Sequence, residues 1–278
     1  MIYIILPVFK RVELTGRFLD SVRNTGYAVT FVICDDEPKE YSNFSKFCDD
    51  LDVIALKTDG DTWWCKTVST GIDYLLESLS DSEFNSSIII IANNDVTVDN
   101  DIFNILEYLD SNYSDIIHPE TKILGTDKFV SSGCNIISWF PYVTKHPMHL
   151  QRKTKVDMLT ARFLCMKGDV IRRVGNINTQ LLQYHGDTEF TLRASREGFS
   201  CFIVPGNPVF LDDNDGSAIH QRSLSCYLKD LFDDTKSNSV KQKYILLSTM
   251  KNKFFSFAIV MSMAVNGLVK TFIRRIFG

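Results

Sequence analysis

The chain has 278 residues, 45% of them apolar and 23% charged, with a formal net charge of −4. This composition is that of a globular protein and excludes wholesale disorder, and the length suits one α/β enzyme domain with an appendage. Seven cysteines are scattered without a CxxC pair, which argues against a disulfide framework or a zinc site and favours a reducing compartment.

The first half of the chain alternates apolar runs with segments of helical spacing. The opening MIYIILPVFKR has its charges on the wrong side for a signal peptide and is predicted to be a buried strand. Further strands are predicted at 29–34, 51–56 and 87–92, and helices at 14–23, 67–79 and 102–109. Buried runs separated by helices predict a parallel sheet covered on both faces. Ligands bind beyond the carboxyl ends of such strands, so the loops after Leu6, Cys34, Leu56 and Ala92 form the expected site.

The second half is less regular. Strands are predicted at 129–137, 156–166 and 201–204, and a helix at 187–197 with Asp187 as its N-cap and Gly198 at C′. No repeat or long linker interrupts the chain. The simplest architecture is one mixed-sheet domain with a helical tail.

Two motifs follow the second and third predicted strands. In VTFVICDDEP, Asp35 and Asp36 can accept hydrogen bonds from a nucleobase or a ribose, or can form a solvated turn. In DGDTWWCKTVSTGIDYLL, Trp63 and Trp64 can pack on a base or sugar, although a tryptophan pair is more often part of a core.

Two further motifs carry carboxylates. In IIIIANNDVTVDND, the sequence Asn93-Asn94-Asp95 ends a buried strand; this hard-oxygen set suits Mg²⁺ or Mn²⁺ shared with phosphates, or simply makes a turn. In QYHGDTEFTLRASREGF, Asp187 at a helix start can act as a general base if a hydroxyl lies within reach, or can be a plain cap.

The order of these motifs, after ILPVFKRVELTGRFLDSV, resembles the family two glycosyltransferases over approximately residues 1–220. The resemblance implies a GT-A fold: a Rossmann-like mixed, mainly parallel α/β sheet flanked by helices, with a C-terminal helical tail. Residues 1–120 would bind the nucleotide sugar and 121–222 the acceptor. Residues 223–278 lie beyond the resemblance, and their own pattern predicts a basic membrane-associating tail. The tryptophan loop is similar to that of rhamnosyltransferase-like enzymes of bacterial surface polysaccharide synthesis.

The resemblance also implies residue roles. Asp35 would recognise the pyrimidine of a dTDP- or UDP-linked sugar. The other implied donor-binding residues are Pro7, Phe9, Asp36, Asp61, Trp63, Trp64, Lys66, Asn93 and Asn94. Asp95 would bind a divalent metal, Mn²⁺ or Mg²⁺, together with His220, which is otherwise an exposed loop histidine.

Asp187 would be the catalytic base of an inverting transfer, and His185, Gly186 and Arg162 would lie at the acceptor. Lys66 and Arg162 have solvated or structurally paired roles as alternatives. Two departures from the family pattern are Asn93-Asn94-Asp95 in place of DXD and Gly186 in place of a glutamate.

The tail is the basic part of the chain. From Thr235 to Gly278 there are eight basic residues and no acidic one, which leaves a net charge of −12 elsewhere. The apolar run 254–269 is short for a membrane span. As a helix it aligns Phe254, Phe257, Met261, Val265, Leu268, Phe272 and Ile276 on one face, away from Lys253, Lys270 and Arg274. This pattern predicts a helix lying on an anionic membrane, or else one packed on the protein or in a homodimer.

The expected activity is therefore transfer of a sugar to a saccharide or lipid-linked acceptor, at the cytoplasmic face of the cell membrane. One alternative is a sugar nucleotidyltransferase, which would be expected to show a glycine-rich loop after the first strand, whereas LPVFKR has no glycine. Another is a non-catalytic nucleotide-sugar-binding or scaffold protein on the same fold, which would be expected to lack Asp95 or Asp187. Nucleic-acid binding is not expected, because no basic and aromatic surface pattern occurs outside the tail.

Overall fold

The computed structural model describes residues 1–37, 45–109, 115–212 and 223–277. The strands are β1 (Ile2–Val8), β2 (Thr30–Asp35), β3 (Asp52–Lys57), β4 (Ile88–Ala92), β5 (Val96–Val98), β6 (Ile116–Ile123), β7 (Phe129–Val130), β8 (Gly133–Trp139), β9 (Tyr142–Lys145), β10 (Thr154–Val156), β11 (Met158–Leu159), β12 (Phe163–Lys167) and β13 (Cys201–Leu211). The helices are α1 (Val12–Arg23), α2 (Trp63–Ser78), α3 (Asp81–Ser86), α4 (Gly168–Val174), α5 (Gly186–Arg196), α6 (Leu224–Phe232), α7 (Val240–Ser248) and α8 (Lys253–Phe277), with 3₁₀ turns at Ser45–Phe47 and Ile102–Tyr108.

The described residues form a ten-stranded mixed sheet. Its order is β10-β13-β6-β12-β4-β1-β2-β3, with β5 beside β13 and β7 beside β6. Strands β4, β1, β2 and β3 are parallel neighbours, whereas β12 is antiparallel to both β4 and β6. The carboxyl ends of β1, β2 and β4 therefore meet at one edge, where the predicted polar motifs begin.

Both faces of the parallel strands are covered. Ile4 and Leu6 of β1 pack in one apolar cluster with Phe18 of α1, whereas Ile5 packs in the opposite cluster with Val68 of α2. All of these side chains are buried. Burial on both faces explains why the strands are continuous apolar runs rather than alternating ones.

Two predicted strands of the second half are divided in the structure, so these boundaries were wrong. The segment 129–137 contains β7 and the start of β8, and the segment 156–166 contains parts of β10 and β12 with β11 between them. The reason is that the chain changes sheets: β8, β9 and β11 form a separate three-stranded sheet. The predicted helix at 102–109 is a 3₁₀ helix.

The last three helices form one unit. Helix α8 packs on α6 and α7 through two small apolar clusters, one around Tyr227, Leu231 and Ala264, the other around Leu247 and Ile259. Helix α8 covers 25 residues, which is longer than the apolar run that predicted it.

Candidate functional site

A cleft of about 350 Å³ opens at the carboxyl ends of the parallel strands. Its lining combines the predicted loops with segments far away in the chain: Pro7, Val8, Phe9, Arg11, Asp36, Asp61, Trp63, Trp64, Thr67, Asn93, Asn94, Asp95, Gln183, Tyr184, Thr235 and Lys236. Of the predicted donor-binding residues, Asp35 and Lys66 are not part of this lining. The cleft thus lies where the sheet topology predicts a ligand site.

The turn after β1 supplies one aromatic ring and one cation. Phe9 is 45% exposed, and Arg11 adopts a left-handed backbone conformation with φ of 60°. The Arg11 guanidinium lies 3.9 Å from the Asp95 carboxylate. Arg11 was not among the predicted site residues, although it belongs to the loop after β1 that was predicted to form part of the site.

Asp35 and Asp36 are adjacent in sequence, but their carboxylates have different hydrogen-bond partners. Asp35 is fully buried at the end of β2, and its Oδ1 accepts a hydrogen bond from the Glu37 N–H at 2.9 Å. The Asp36 carboxylate accepts from the backbone N–H groups of Thr62 (3.0 Å) and Trp63 (3.1 Å) and from the hydroxyls of Thr58 and Thr62. Asp36 therefore caps the N-terminus of α2 from a neighbouring strand, where a carboxylate also complements the helix dipole.

This cap holds a backbone that is unfavourable for side-chain-bearing residues. Asp61 and Trp63 have φ values of 52° and 64°, and Gly60 between Asp59 and Asp61 has φ of 82°. Left-handed conformations are uncommon outside glycine and cluster at functional sites. The Trp63 ring, 37% exposed, is held at the cleft by this loop.

The Asn93-Asn94-Asp95 turn leaves β4 with both amides engaged. The Trp64 indole N–H donates to Asn93 Oδ1 at 2.9 Å, and the Asn94 amide N–H donates to Thr15 Oγ1 of α1 at 3.0 Å. Both residues thereby fix the turn between α1 and α2. Asp95 is left as the carboxylate of this motif at the cleft.

Arg162 lies near the two carboxylates to which the sequence assigned chemistry. Burial lowers the pKa of its guanidinium, and the nearby charges of Asp95 and Asp187 oppose that shift. Its Nη1 is buried and has no hydrogen-bond partner among the described residues. A buried cation thus lies near both the candidate metal ligand and the candidate base.

The charge of Arg162 is not supplemented by its neighbour His118. That buried imidazole interacts through Nδ1 with the Pro119 carbonyl, and its Nε2 accepts from the Phe163 N–H at 3.1 Å. Burial lowers the pKa of His118 to about 3, and the charge of Arg162 contributes. His118 is therefore neutral at physiological pH.

Asp187 lies in the first turn of α5 and is not its N-cap, so that prediction was wrong. His185 occupies the N-cap position with φ of 73° and makes no side-chain cap. The Asp187 carboxylate instead accepts from the N–H groups of Ala161 (3.1 Å) and Thr188 (2.7 Å), and the side chain is half-buried. These two bonds hold the carboxylate against the β11–β12 connection. Gly198 follows the end of α5 with φ of 92°, as predicted.

Gly186 has a packing role at the start of α5. A Cβ at this position would lie 2.5 Å from Cys65 Sγ and 3.1 Å from the Trp64 ring. The glutamate of the family pattern has no room here, since α5 approaches α2 at this point. His185 is half-buried and its Nε2 lies 3.0 Å from the Ser237 carbonyl. Burial lowers the pKa of His185.

Seven cleft residues were not among the predicted site residues: Val8, Arg11, Thr67, Gln183, Tyr184, Thr235 and Lys236. Gln183 and Tyr184 are the first two residues of the motif that contains Asp187, but the sequence analysis assigned them no role. Thr235 and Lys236 belong to the α6–α7 connection. They are held near α5 by the Ser237–His185 contact and by the bond from the Leu182 N–H to Gln242 Oε1 (2.9 Å).

The predicted divalent metal can be compared with the donors around Asp95. The described residues contain no group of three or more His, Cys, Asp or Glu side chains placed to hold a metal, and His220 lies outside the described residues. The Asn93 side-chain oxygen already accepts a hydrogen bond from Trp64. Asp95 supplies the carboxylate of this turn. This arrangement fits a Mg²⁺-like ion that takes one carboxylate and completes its shell with phosphate oxygens and water.

A second, smaller cavity of about 190 Å³ lies between α5, the β8–β9 hairpin and the last two helices. It is lined by His185 and Thr188, which flank the Asp187 position, and by Lys243 of α7 and Met263 of α8 among others. Burial lowers the pKa of Lys243. The cavity connects the surroundings of Asp187 with the C-terminal helices.

Comparison with known proteins gives a structural likeness and no sequence match. No protein-family model matches the chain, and a search of curated proteins finds no match. Among solved structures, it is similar to TarS 1–349 of S. aureus, with a TM-score of 0.55 and 12% identity over 92% of this chain and 72% of that one. The same fragment in complex with UDP gives a TM-score of 0.51.

A third solved structure, GalNAc-T7 with UDP, GalNAc and Mn²⁺, gives a TM-score of 0.61 and 12% identity. The match covers 95% of this chain but only 54% of GalNAc-T7. At such identities the likeness establishes the fold alone. The predicted fold class, a GT-A-type mixed and mainly parallel sheet flanked by helices with a C-terminal helix, is confirmed.

Proposed function

We propose that this protein is an inverting glycosyltransferase that uses a nucleoside diphosphate sugar and a divalent metal. The observation that carries the proposal is the arrangement at the end of the sheet. One cleft combines exposed aromatic rings, Phe9 and Trp63, with the cations Arg11 and Lys236 and the carboxylate of Asp95. Flat rings suit a base and sugar, while cations suit a diphosphate. The neighbours' bound UDP, sugar and Mn²⁺ agree with this assignment.

The proposed reaction uses Asp187 as the base. An acceptor hydroxyl attacks the anomeric carbon of the donor, the new C–O bond forms, and the bond from that carbon to the diphosphate oxygen breaks. Asp187 takes the proton of the hydroxyl, and the electron pair of the broken bond leaves with the nucleoside diphosphate. A single displacement inverts the anomeric configuration.

The negative charge of the leaving diphosphate must be stabilised in the cleft. Arg11 and Lys236 of the cleft lining, together with the buried Arg162 near Asp95, would provide fixed positive charge, which is the preorganised electrostatic contribution to catalysis. Asp95, with His220 as the further proposed ligand, would hold the metal. When bound, a divalent ion supplies additional Lewis-acid stabilisation of the phosphate oxygens.

The donor carrier is proposed to be dTDP or UDP, and a deoxysugar such as rhamnose is the first candidate for transfer. The acceptor is proposed to be a saccharide, carried on a lipid, in surface polysaccharide synthesis. It would approach from the side of His185 and Thr188, where the second cavity adjoins Asp187.

The test is thermal unfolding of the full chain with a panel of nucleoside diphosphates, with and without Mn²⁺. One pyrimidine diphosphate should raise the Tm in a metal-dependent manner, and Asp95→Asn should abolish the metal dependence, because it removes the carboxylate that holds the ion. Asp101→Asn, which removes an exposed carboxylate outside the cleft, is the matched control.

Detection of turnover follows with the nucleotide that binds. Release of nucleoside diphosphate from the matching sugar donor, with an inverted anomer in the product, would support the proposal. A folded wild-type protein that binds no nucleotide at all would contradict it and favour a scaffold that has kept only the fold.

A further inference from the structure

The structure assigns the exposed face of helix α8 as a docking surface for an anionic lipid bilayer, on which the helix lies in the plane of the membrane. This inference concerns a surface outside the cleft and does not depend on the proposed reaction. We call this face the α8 stripe and define it as Phe254, Phe257, Met261, Val265, Val269, Phe272 and Ile273.

The α8 stripe is exposed along its whole length. Phe254 is 84% exposed, Phe257 56% and Phe272 53%, and the other members exceed 40%. The spacing of three or four residues places them on one side of the helix. Single exposed apolar residues are ordinary, but a continuous row with three phenylalanines marks an interaction surface.

The opposite face of α8 is fixed to the protein. Ile259 and Val260 are buried against Leu247, and the Tyr227 hydroxyl donates to the Ala264 carbonyl at 3.3 Å. Gly267 has no space for a side chain, because an added Cβ would lie 1.9 Å from the Tyr227 Oη. The stripe is therefore the free side of a helix that is already packed.

Further exposed apolar side chains lie next to α8. Helix α6, which packs against it, exposes Leu228 and Phe232, the latter by 84%. At the other end, the exposed ring of Phe140 on the β8–β9 hairpin lies 6.4 Å from that of Phe255. Exposed apolar side chains therefore occur on the elements that pack beside α8 as well as on α8 itself.

The charge around the α8 stripe favours an anionic bilayer over a second copy of the chain as its binding partner. Lys253 and Lys270 are exposed on α8, Arg274 and Arg275 follow in the same helix, and no acidic residue occurs from Thr235 onward. A second copy of the chain would bring the same positive charges face to face. An anionic bilayer instead accepts the apolar side chains and neutralises the basic ones.

Not every basic residue of the tail belongs to this surface. Lys236 lines the cleft, Lys241 pairs with Asp234, Lys243 donates to Asn238 at 3.1 Å, and Lys251 lies over the Trp139 ring at 4.3 Å. The bilayer contact therefore depends on the basic residues of α8 itself.

An in-plane orientation follows from the packing. By length and composition, the segment Lys253–Ile273 could cross a membrane. Crossing would draw α6 and α7 with it, and these carry Lys229, Asp230, Lys241 and Lys243. Charged side chains in the hydrocarbon core are costly, so the helix docks by its stripe while α6 and α7 stay in water.

The experiment is flotation of the full chain with vesicles of pure phosphatidylcholine, or of an equal mixture of phosphatidylcholine and phosphatidylglycerol. We expect binding to the anionic vesicles only. Phe254→Ser with Phe257→Ser should weaken that binding about tenfold or more, because two rings that would be buried in the bilayer are lost. Lys253→Glu with Lys270→Glu should weaken it by a similar factor through charge alone.

Leu124→Ser is the matched control, since it removes an exposed apolar side chain on the β6–β7 turn, and it should bind like the wild type. Absence of wild-type binding to anionic vesicles would overturn the inference. Equal binding to neutral vesicles would also overturn it. A dimer in sedimentation velocity that is dissociated only by Phe254→Ser with Phe257→Ser would overturn it too, because it would show that a second copy of the chain covers the α8 stripe. Because these readouts involve no nucleotide, their failure is separable from that of the proposed function.

Discussion

The two walls of the cleft are built in different ways. The sheet wall consists of turns that follow β1, β2 and β4, whose order in the sheet brings Phe9, Asp36 and Asp95 together. The opposite wall consists of Tyr184 and Lys236, which lie 52 residues apart in the chain and meet through contacts between α5 and α7. Function can therefore be lost in two ways, by changing the chemistry of one wall or by releasing the other.

The largest expected effect tests the candidate base Asp187, which is not part of the cleft lining. Asp187→Asn should reduce kcat by about 10²–10⁴-fold, because it removes general-base assistance, while the Asn Oδ1 can still accept from one of the two N–H groups, Ala161 or Thr188, that the carboxylate accepts from. Donor affinity should change little, and the loss of one hydrogen bond should lower the Tm slightly. The measurement is acceptor-dependent release of nucleoside diphosphate, together with nucleotide binding. A variant with normal kcat would show that Asp187 only holds the β11–β12 connection.

The second effect concerns the tryptophan loop of the sheet wall. Asp36→Ala should lower the free energy of unfolding by about 2–3 kcal/mol, because two backbone N–H groups at the N-terminus of α2 lose their acceptor. Nucleotide affinity should fall with it, since Asp61 and Trp63 would no longer be held in their left-handed conformations. Urea unfolding and nucleotide titration measure the two effects.

Thr58→Val is the control for this loop, because it removes only one hydroxyl donor to Asp36; it should cost about 1 kcal/mol. If Asp36→Ala were as stable as the wild type but failed to bind nucleotide, Asp36 would contact the ligand directly. That result would support the donor-binding role that the sequence resemblance implied.

The sheet wall could be predicted from the sequence because each of its turns is marked by a pattern of neighbouring residues. An apolar strand such as Ile88–Ala92, followed at once by polar residues, marks the point where the chain leaves the sheet. The local pattern does not say which polar groups are engaged. Asp36, predicted to bind the donor, lines the cleft and also caps α2. This second role could not be predicted, because its partners Thr62 and Trp63 lie 26 and 27 residues away.

The opposite wall could not be predicted because it depends on tertiary packing. Lys236 contributes to the tail's positive charge in composition, and no local signal separates it from Lys241 or Lys253. Its position is set by Ser237 and Gln242, which bind residues more than 50 positions away. Likewise, the departure at Gly186 is explained only by the approach of Cys65 and Trp64.

The smallest expected effect tests whether this distant wall takes part in binding. Lys236→Ala should weaken binding of the nucleoside diphosphate about twofold to fivefold, since an exposed cation facing an anion contributes about 0.2–1 kcal/mol. The loss should shrink in 1 M salt, where the screening length falls to about 3 Å. Isothermal titration at low and high salt measures both.

Lys241→Ala is the matched control for Lys236→Ala. It removes the same charge five residues along the chain, from a side chain paired with Asp234 outside the cleft. If both variants lost affinity equally, the effect would be one of overall charge, and the α6–α7 connection would only close the cleft sterically. If only Lys236→Ala lost affinity, the C-terminal helices would be part of the donor site, and their attachment at α8 would fix one wall of it.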